Sequence, residues 1–397
     1  MSRAPARTAL GLAALAVGTL LAARYGFATP AAGLACLVVA AYGAALVLRL
    51  LPRGAIVVAA LLAVGVARWT ALSIHQDLRG ERPDTAPMPD LASIGVSRSI
   101  GRIVHGAPDS GPARIMVWGD CRGGVTVFER LCDEIRKRGP EFSIGLGDFV
   151  GMARTYQFEI LGGKLEATGA PALMTPGNHD LDPFGTLRPY SRVFGPLHWS
   201  FEWKRAIWIG LDTAREVVDP QELDWLETTL AARGKDVAHV VLCTHVPLWM
   251  PASRDEKPLP DDAATKRLKA IAEREKAIYL CSHFHSYVLQ KVGNVTQLVT
   301  GGAGSRLEDE GPHHCVWMTL GPDGPTFEKI VLMAKRDVSP LADRLKTLHD
   351  EGAYAADVYP LRVPLAVLCA ALFLGGFAAA VLPRRQRANK ADAGTTA

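Results

Sequence analysis

Two kinds of apolar pattern divide the chain. From Ala9 to Ser73 apolar residues run almost without a break, interrupted only at Arg24 to Pro30 and Arg49 to Arg53, and a similar run covers Val363 to Leu382. Between them the apolar runs are short and separated by polar, glycine-bearing segments. The long runs predict about four transmembrane helices, three N-terminal (about Ala9 to Ala23, Ala31 to Leu48 and Gly54 to Leu72) and one C-terminal, each near the roughly 20 residues that cross a bilayer. The short runs read as buried strands: Arg114 to Trp118, Phe142 to Leu146, Ala172 to Thr175, Val240 to Cys243, Ala277 to Cys281 and Val295 to Thr300. A strand-like run also covers Cys315 to Leu320, and alternation in Leu197 to Trp203 and Phe327 to Met333 suggests further strands. Helical character appears over Tyr156 to Ala167, Gln221 to Arg233, Asp262 to Glu275 and Leu341 to His349. The expected class is α/β, a β-sandwich flanked by helices. The expected organisation is a membrane region over 1–75, a polar, Pro-containing linker over 76–112, a folded domain over 113–335, a linker or helix over 336–360, and a membrane helix with a basic tail over 361–397.

Five polar stretches follow strand-like runs in one order: Gly119-Asp120-Cys121-Arg122, Gly147-Asp148, Gly177-Asn178-His179-Asp180, Thr244-His245 and Ser282-His283-Phe284-His285. Strand ends are where open α/β sheets form binding sites, because the chain leaving a buried strand there reaches a crevice with free backbone groups. The glycines at 119, 147 and 177 allow a sharp turn at the polar residue. Convergence of the five ends would gather Asp120, Asp148, Asn178, His245, His283 and His285 into one pocket. Carboxylate, amide oxygen and imidazole together suit hard or borderline divalent metals. Two such ions about 3.5–4 Å apart clamp the attacking and leaving oxygens of a phosphoryl centre, so the residues alone point to metal-assisted phosphoester hydrolysis without naming the ester.

In this order and spacing the stretches resemble the calcineurin-like metallophosphoesterase family, whose signature runs Asp-x-His, Gly-Asp, Gly-Asn-His-Asp/Glu, a lone His, then Gly-His-x-His. The resemblance covers roughly Arg114 to Met333. It implies a metallophosphoesterase-like β-sandwich and two divalent ions (manganese, iron or zinc), with Asp148 bridging, Asp120 and His285 on the first ion, and Asn178, His245 and His283 on the second. It also implies that His179 either protonates the departing alkoxide or stabilises charge on the phosphate, with Asp180 holding its ring in one tautomer.

Two departures from the family pattern matter, the first of them at the first metal site. Arg122 stands where the family has the His of Asp-x-His, and a guanidinium has no lone pair to give a metal. The first site then rests on Asp120, Asp148, His285 and water, and Arg122 either contacts a phosphate oxygen or pairs with a nearby carboxylate. A Tyr three residues after the bridging Asp, used by the purple acid phosphatase branch, is replaced by Gly151. Ser282 replaces the Gly of Gly-His-x-His, which removes flexibility but no ligand. A second function class stays open beside the enzyme: a degenerate member that binds phosphate-bearing ligands without turnover, with Arg122 as its only support.

Basic residues orient the apolar spans. With Arg3 and Arg7 inside, Arg49 and Arg53 and the tail with Arg384, Arg385, Arg387 and Lys390 also face the cytoplasm, which puts residues 76–359 outside it. The expected location is a bacterial cell membrane with the catalytic domain external; the alternative is a domain on the cytoplasmic face. Tethering suggests a lipid head group or envelope polymer as the phosphoester. A transporter is disfavoured because the spans carry almost no ionisable residue. The net charge of +4 comes partly from the basic flanks and makes no case for nucleic acid. Of seven cysteines, Cys36 and Cys369 lie within spans, and the other five, Cys121, Cys132, Cys243, Cys281 and Cys315, lack CxxC spacing and read as buried thiols, with a bridge between Cys243 and Cys281 as the alternative. His313 and His314 read as solvent-facing loop residues, and Gly301-Gly302-Ala303-Gly304 as a tight loop.

Overall fold

A computed structural model describes residues 11–19, 30–48, 56, 63–64, 66–68, 70, 95–106, 110–250, 258–358 and 362–381. The chain forms two compact units, one from Met1–Arg79 with His349–Ala397 and one from Gly80–Leu348.

The larger unit holds eleven described strands: β1 (Ala113–Trp118), β2 (Phe142–Gly145), β3 (Ala172–Met174), β4 (Trp199–Trp203), β5 (Ala206–Gly210), β6 (His239–Cys243), β7 (Ile278–Cys281), β8 (Tyr287–Val292), β9 (Val295–Thr300), β10 (His313–Gly321) and β11 (Gly324–Met333). They make two sheets, ordered β11-β10-β1-β2-β3 and β4-β5-β6-β7-β9-β8. Pairing is parallel through β1-β2-β3 and β5-β6-β7-β9, and antiparallel at the remaining neighbours. The parallel strands therefore end along the same edge of each sheet, where the chemistry-bearing segments leave.

Side-chain alternation builds the layers. In β1, Ile115 and Val117 face the space between the sheets with Phe142, Ile144, Val241, Leu280 and Leu298. Met116 and Trp118 point the other way, onto Phe128, Leu131 and Phe158 of the helices Val125–Arg138 and Thr155–Glu166. The second sheet is covered on its outer face by Pro220–Ala232 and Ala263–Arg274 through Leu223, Leu226, Leu268 and Ile271. Both helices start at an Asp whose side chain accepts a backbone N–H of the first turn, Asp219 from Gln221 and Asp262 from Thr265, a cap worth about 1 kcal/mol. The result is the expected sandwich flanked by helices.

Three expectations change. The stretch 76–112, read as a linker, contains the helix Val96–Gly106, which buries Val96, Ser99 and Ile103. His313 and His314 open β10 and are buried, 3% and 2% exposed, instead of lying in a solvent loop. The glycine run after β9 is packed: a Cβ on Gly302 would lie 2.2 Å from His314 Nδ1, and one on Gly301 2.7 Å from Asp120 Oδ2. Among the described residues the cysteines are free and buried, Cys243 and Cys281 included.

In the smaller unit, Pro30–Leu48 and Arg362–Val381 are helices of 19 and 20 residues. They meet through small residues: a Cβ on Gly375 would lie 2.5 Å from Ala44 Cβ and 2.6 Å from the Ala41 carbonyl oxygen. The expectation of four membrane-crossing helices finds no counterpart, since no helix among the described residues is long and apolar enough to cross a membrane. The ends of the first expected span, most of the third, residues 76–94 and the basic tail lie outside the described residues.

Candidate metal centre

The strand ends bring all six expected ligand residues together. Asp120 and Asp148 leave β1 and β2, and their backbones are laced to each other: Asp120 N donates to the Gly147 carbonyl at 3.0 Å and Arg122 N to the Asp148 carbonyl at 3.1 Å. Asp120, Asp148 and His283 adopt positive φ of 57°, 58° and 67°. Left-handed backbone at a residue with a Cβ costs about 1–3 kcal/mol and persists where surrounding contacts over-determine it. The turn is thus taken by the aspartates themselves. Of the three glycines expected to supply it, Gly147 has positive φ (92°), whereas Gly119 and Gly177 are needed for close approach. A Cβ on Gly177 would lie 2.4 Å from Asp148 N, and one on Gly119 2.5 Å from Ser282 Cβ.

Hydrogen bonds on the far side of two imidazoles, those of His245 and His285, settle their tautomers. His245 Nδ1 lies 2.8 Å from the Leu146 carbonyl oxygen, which can only accept, so Nδ1 carries the proton and Nε2 presents a lone pair. That lone pair faces Asn178 Oδ1 at 3.0 Å, His283 Nδ1 at 3.1 Å and Asp148 Oδ1 at 3.4 Å, while His283 Nδ1 and Asn178 Oδ1 are 3.2 Å apart. The His245 lone pair and the Asn178 amide oxygen converge as two acceptors, an arrangement that suits a cation. The same logic holds across the site: His285 Nδ1 donates to the Arg306 carbonyl at 2.8 Å, which turns Nε2 toward Asp120 Oδ1 at 3.4 Å. Asp120 Oδ2 is occupied by His283 N–H at 2.9 Å, and its buried Oδ1 has no hydrogen-bond partner. The residues present therefore fit a divalent cation, and ligand atoms of Asp120, Asp148 and His245 lie within 4.8 Å of one another.

Protonation responds to this crowding. Burial pushes the Asp120 carboxyl up, but the adjacent His285 imidazole and the charges of His245 and His283 outweigh it and hold it below 3.8. Burial works against a charged His285, yet Asp120 and the Arg306 carbonyl lift it above 6.5. A proton on His285 then does between these two groups what a cation would do. Burial is the first cause that lowers His283, followed by His245.

Asp180 does not hold the His179 ring. Its two oxygens accept three backbone N–H groups, from Asp148, Phe149 and Gly177, each at 2.9 Å. It is a clamp that fixes the Asp148 turn against the Gly177 turn. Burial first, and Asp148 second, push its carboxyl up to about 7. His179 is tied through its backbone N–H to Asp148 Oδ1 at 2.9 Å, and the residue is exposed. Burial, Arg122 and His245 lower the ring's pKa against the pull of Asp148 and Asp120. Arg122 Nε stands 3.9 Å from Asp148 Oδ2, a loose ion pair with a partly exposed guanidinium.

Two contributors were not anticipated. Ser282 is more than a stiffer glycine, because its hydroxyl donates to the Leu146 carbonyl and lies 3.1 Å from His245 Nδ1. Thr213 Oγ1 accepts the backbone N–H of both His245 and Val246 at 3.0 Å, holding the turn after β6. Thr213 follows β5 in sequence and carries no motif, so only the fold reveals it.

Residues 113–287 match the family model of calcineurin-like phosphoesterases. Solved structures similar to the chain include a purple acid phosphatase from yellow lupin (Lupinus luteus) seeds, 16% identical with a TM-score of 0.46 over 59% of this chain and 53% of that one. The chain thus spans about half the length of that phosphatase. A dimetal phosphatase from Danio rerio is 10% identical with a TM-score of 0.46, over 56% of this chain and 98% of that one. GAP50, the anchor in the inner membrane complex of Plasmodium, is 11% identical with a TM-score of 0.45, over 60% and 95%. A comparison with curated proteins finds no match.

Proposed function

We propose that the chain is a membrane-anchored, metal-dependent phosphoester hydrolase whose domain over 113–335 acts outside the cytoplasm on a phosphomonoester or phosphodiester. The observation that carries the hydrolase reading is the convergence of His245 Nε2, His283 Nδ1 and Asn178 Oδ1 within 3.0–3.2 Å, with no proton available to separate the His245 lone pair from the amide oxygen. Asn178, His245 and His283 would hold one divalent ion (manganese, iron or zinc), Asp120 and His285 the other, and Asp148 would face both. When bound, such a pair neutralises phosphoryl oxygens and generates a nucleophile from water at neutral pH.

The protein's own groups do the rest. His179, exposed beside Asp148, donates a hydrogen bond or a proton to the leaving oxygen. Arg122, held loosely at 3.9 Å, can swing onto a phosphate oxygen by a charge-assisted hydrogen bond. Its charge also disfavours a second ion, so the first site binds more weakly than the second. Asp180 keeps the two aspartate-bearing turns in register. Anchoring rests on the sequence pattern, four apolar stretches with basic flanks, and a lipid or envelope-linked phosphoester on that anchoring.

Arg122 also favours a second reading, a phosphate-binding protein without turnover. Hydrolysis of a chromogenic phosphodiester and monoester by the purified full chain with manganese, against Asp148→Asn, separates the two. Loss of a group that faces both ions removes about 4 kcal/mol of transition-state stabilisation, so the enzyme reading expects turnover to fall about 1,000-fold. Metal bound at full occupancy with no turnover on either ester would establish the binding protein.

A further inference from the structure

Away from the metal centre, a cavity of about 750 Å³ opens where the chain enters β4, leaves β5 and starts the helix Pro220–Ala232. Its lining includes none of the six ligand residues and none of His179, Asp180 or Arg122. The volume falls within the roughly 300–1,000 Å³ of small-molecule sites. One wall is aromatic: the rings of His198 and Trp225 lie 4.6 Å apart between centroids at 48° to each other. Trp225 backs onto the apolar cluster of Leu223 and Leu226, so its position is fixed from behind.

The other wall is polar. Glu222 is 7% exposed; its Oε1 accepts the Asp212 N–H at 2.9 Å, and Oε2 has no partner among the described residues. Asp212 Oδ2 lies 3.7 Å from Arg215 Nη1, while Arg215 Nη2 donates to the Gly185 carbonyl at 3.1 Å. Carboxyl groups outnumber cationic ones here, with Asp219 as a third beside Arg215 and His198, which disfavours a phosphate or other anion. The cavity is also far larger than a lone metal ion requires. A neutral ring with an apolar face and many hydroxyls satisfies both walls, because aromatic planes cover its C–H face and carboxyl and guanidinium groups take its O–H edge. Burial keeps the Glu222 carboxyl protonated up to about 8, which gives it a donor as well as an acceptor.

We propose that this cavity binds a sugar or polyol ring, stacked on Trp225 and His198 and hydrogen-bonded by Glu222 and Asp212. The ring is either a free sugar or the leaving group of the phosphoester. The second source has a structural route, since Asp212 runs directly into Thr213, which holds the His245 turn, and Arg215 ties the cavity wall to the loop five residues beyond Asp180.

The test is saturation-transfer NMR on the full chain in a detergent without a sugar head group, using methyl glucoside, N-acetylglucosamine and inositol as probes. The expected result is transfer to at least one probe, unchanged in Asp148→Asn and weakened about tenfold or more in Trp225→Ala and His198→Ala, as loss of a stacking platform predicts. His198→Ala, at a half-exposed position, keeps the test open where Trp225→Ala fails to fold. No transfer to any probe, or wild-type transfer in both variants, overturns the proposal. The source of the ring is read separately and rests on the hydrolase reading. A KM for glucose 1-phosphate that rises in His198→Ala, with that for methyl phosphate unchanged, identifies the leaving group. Equal KM values with the NMR loss intact assign the cavity to a free sugar. Binding is measured without turnover, so its failure is distinguishable from failure of the hydrolase reading.

Discussion

On one side of Asp148, Asn178, His245 and His283 place three ligand atoms within 3.0–3.2 Å of one another. On the other side, Asp120 and His285 stand 3.4 Å apart with the Arg122 guanidinium nearby. The first group is closed, and its imidazole tautomer is imposed from behind by the Leu146 carbonyl and the Ser282 hydroxyl. The second group is one ligand poorer, with a fixed positive charge at the missing position. Donor count and local charge, more than residue type, separate a site that demands a cation from one that a proton on His285 can satisfy.

The largest test of this asymmetry compares His245→Ala with His285→Ala. Removing the imidazole at the crowded side should eliminate the tightly held ion and turnover together, a fall of about 1,000-fold in kcat/KM if some 4 kcal/mol is lost. His285→Ala should leave that ion in place, and metal analysis after dialysis reads the difference. Equal loss of metal in the two variants would show the halves to be equivalent.

A second test sets Asp120 against Glu222, two buried carboxyl groups shifted in opposite directions. Asp120 is held low by imidazoles, whereas Glu222, faced by the half-exposed His198 at 3.9 Å, is pushed by burial from 4.5 to about 8. Between these values the unfolded chain has lost the Glu222 proton and the folded chain has kept it, so stability falls as pH rises through this window. The slope of about 1.4 kcal/mol per pH unit makes the fall about 2 kcal/mol between pH 5 and pH 6.5. Glu222→Gln keeps the acceptor for Asp212 N–H and should flatten that part of the curve in denaturant unfolding. An unchanged pH slope would mean that Glu222 ionises freely in the folded protein.

The smallest effect is expected from Arg122→His, which restores an imidazole to the poorer half. The weaker ion should bind at least about tenfold more tightly, the lower end of what even an outer-shell partner is worth. Calorimetric titration with manganese should then resolve two ions. A titration identical to that of the unaltered chain would remove Arg122 as the cause of the asymmetry.

Legibility from sequence varied with the kind of signal. Strands β1, β2, β3, β6, β7 and β9 were visible as short apolar runs because each is buried on both faces between helix and sheet or sheet and sheet. Strand β5 is just as buried but was not anticipated. The turn before it uses Lys204 and Arg205 at φ of 48° and 56°, where Asn-Gly would have announced a hairpin. The helix Val96–Gly106 hid in a stretch whose polar, Pro-containing composition reads as a linker.

Residue type and order by themselves determined that Asp120, Asp148, Asn178, His245, His283 and His285 belong to one centre, because each follows a strand-forming run and strand ends converge. The direction of each lone pair was decided only by tertiary structure. Carbonyls distant in sequence, Leu146 behind His245 and Arg306 behind His285, fix the tautomers. Asp180 likewise became a backbone clamp, since the N–H groups of Asp148, Phe149 and Gly177 reach its carboxylate only after two strand ends are side by side. A hydrogen bond depends on distance and angle between groups that the sequence places far apart, and the fold alone sets both.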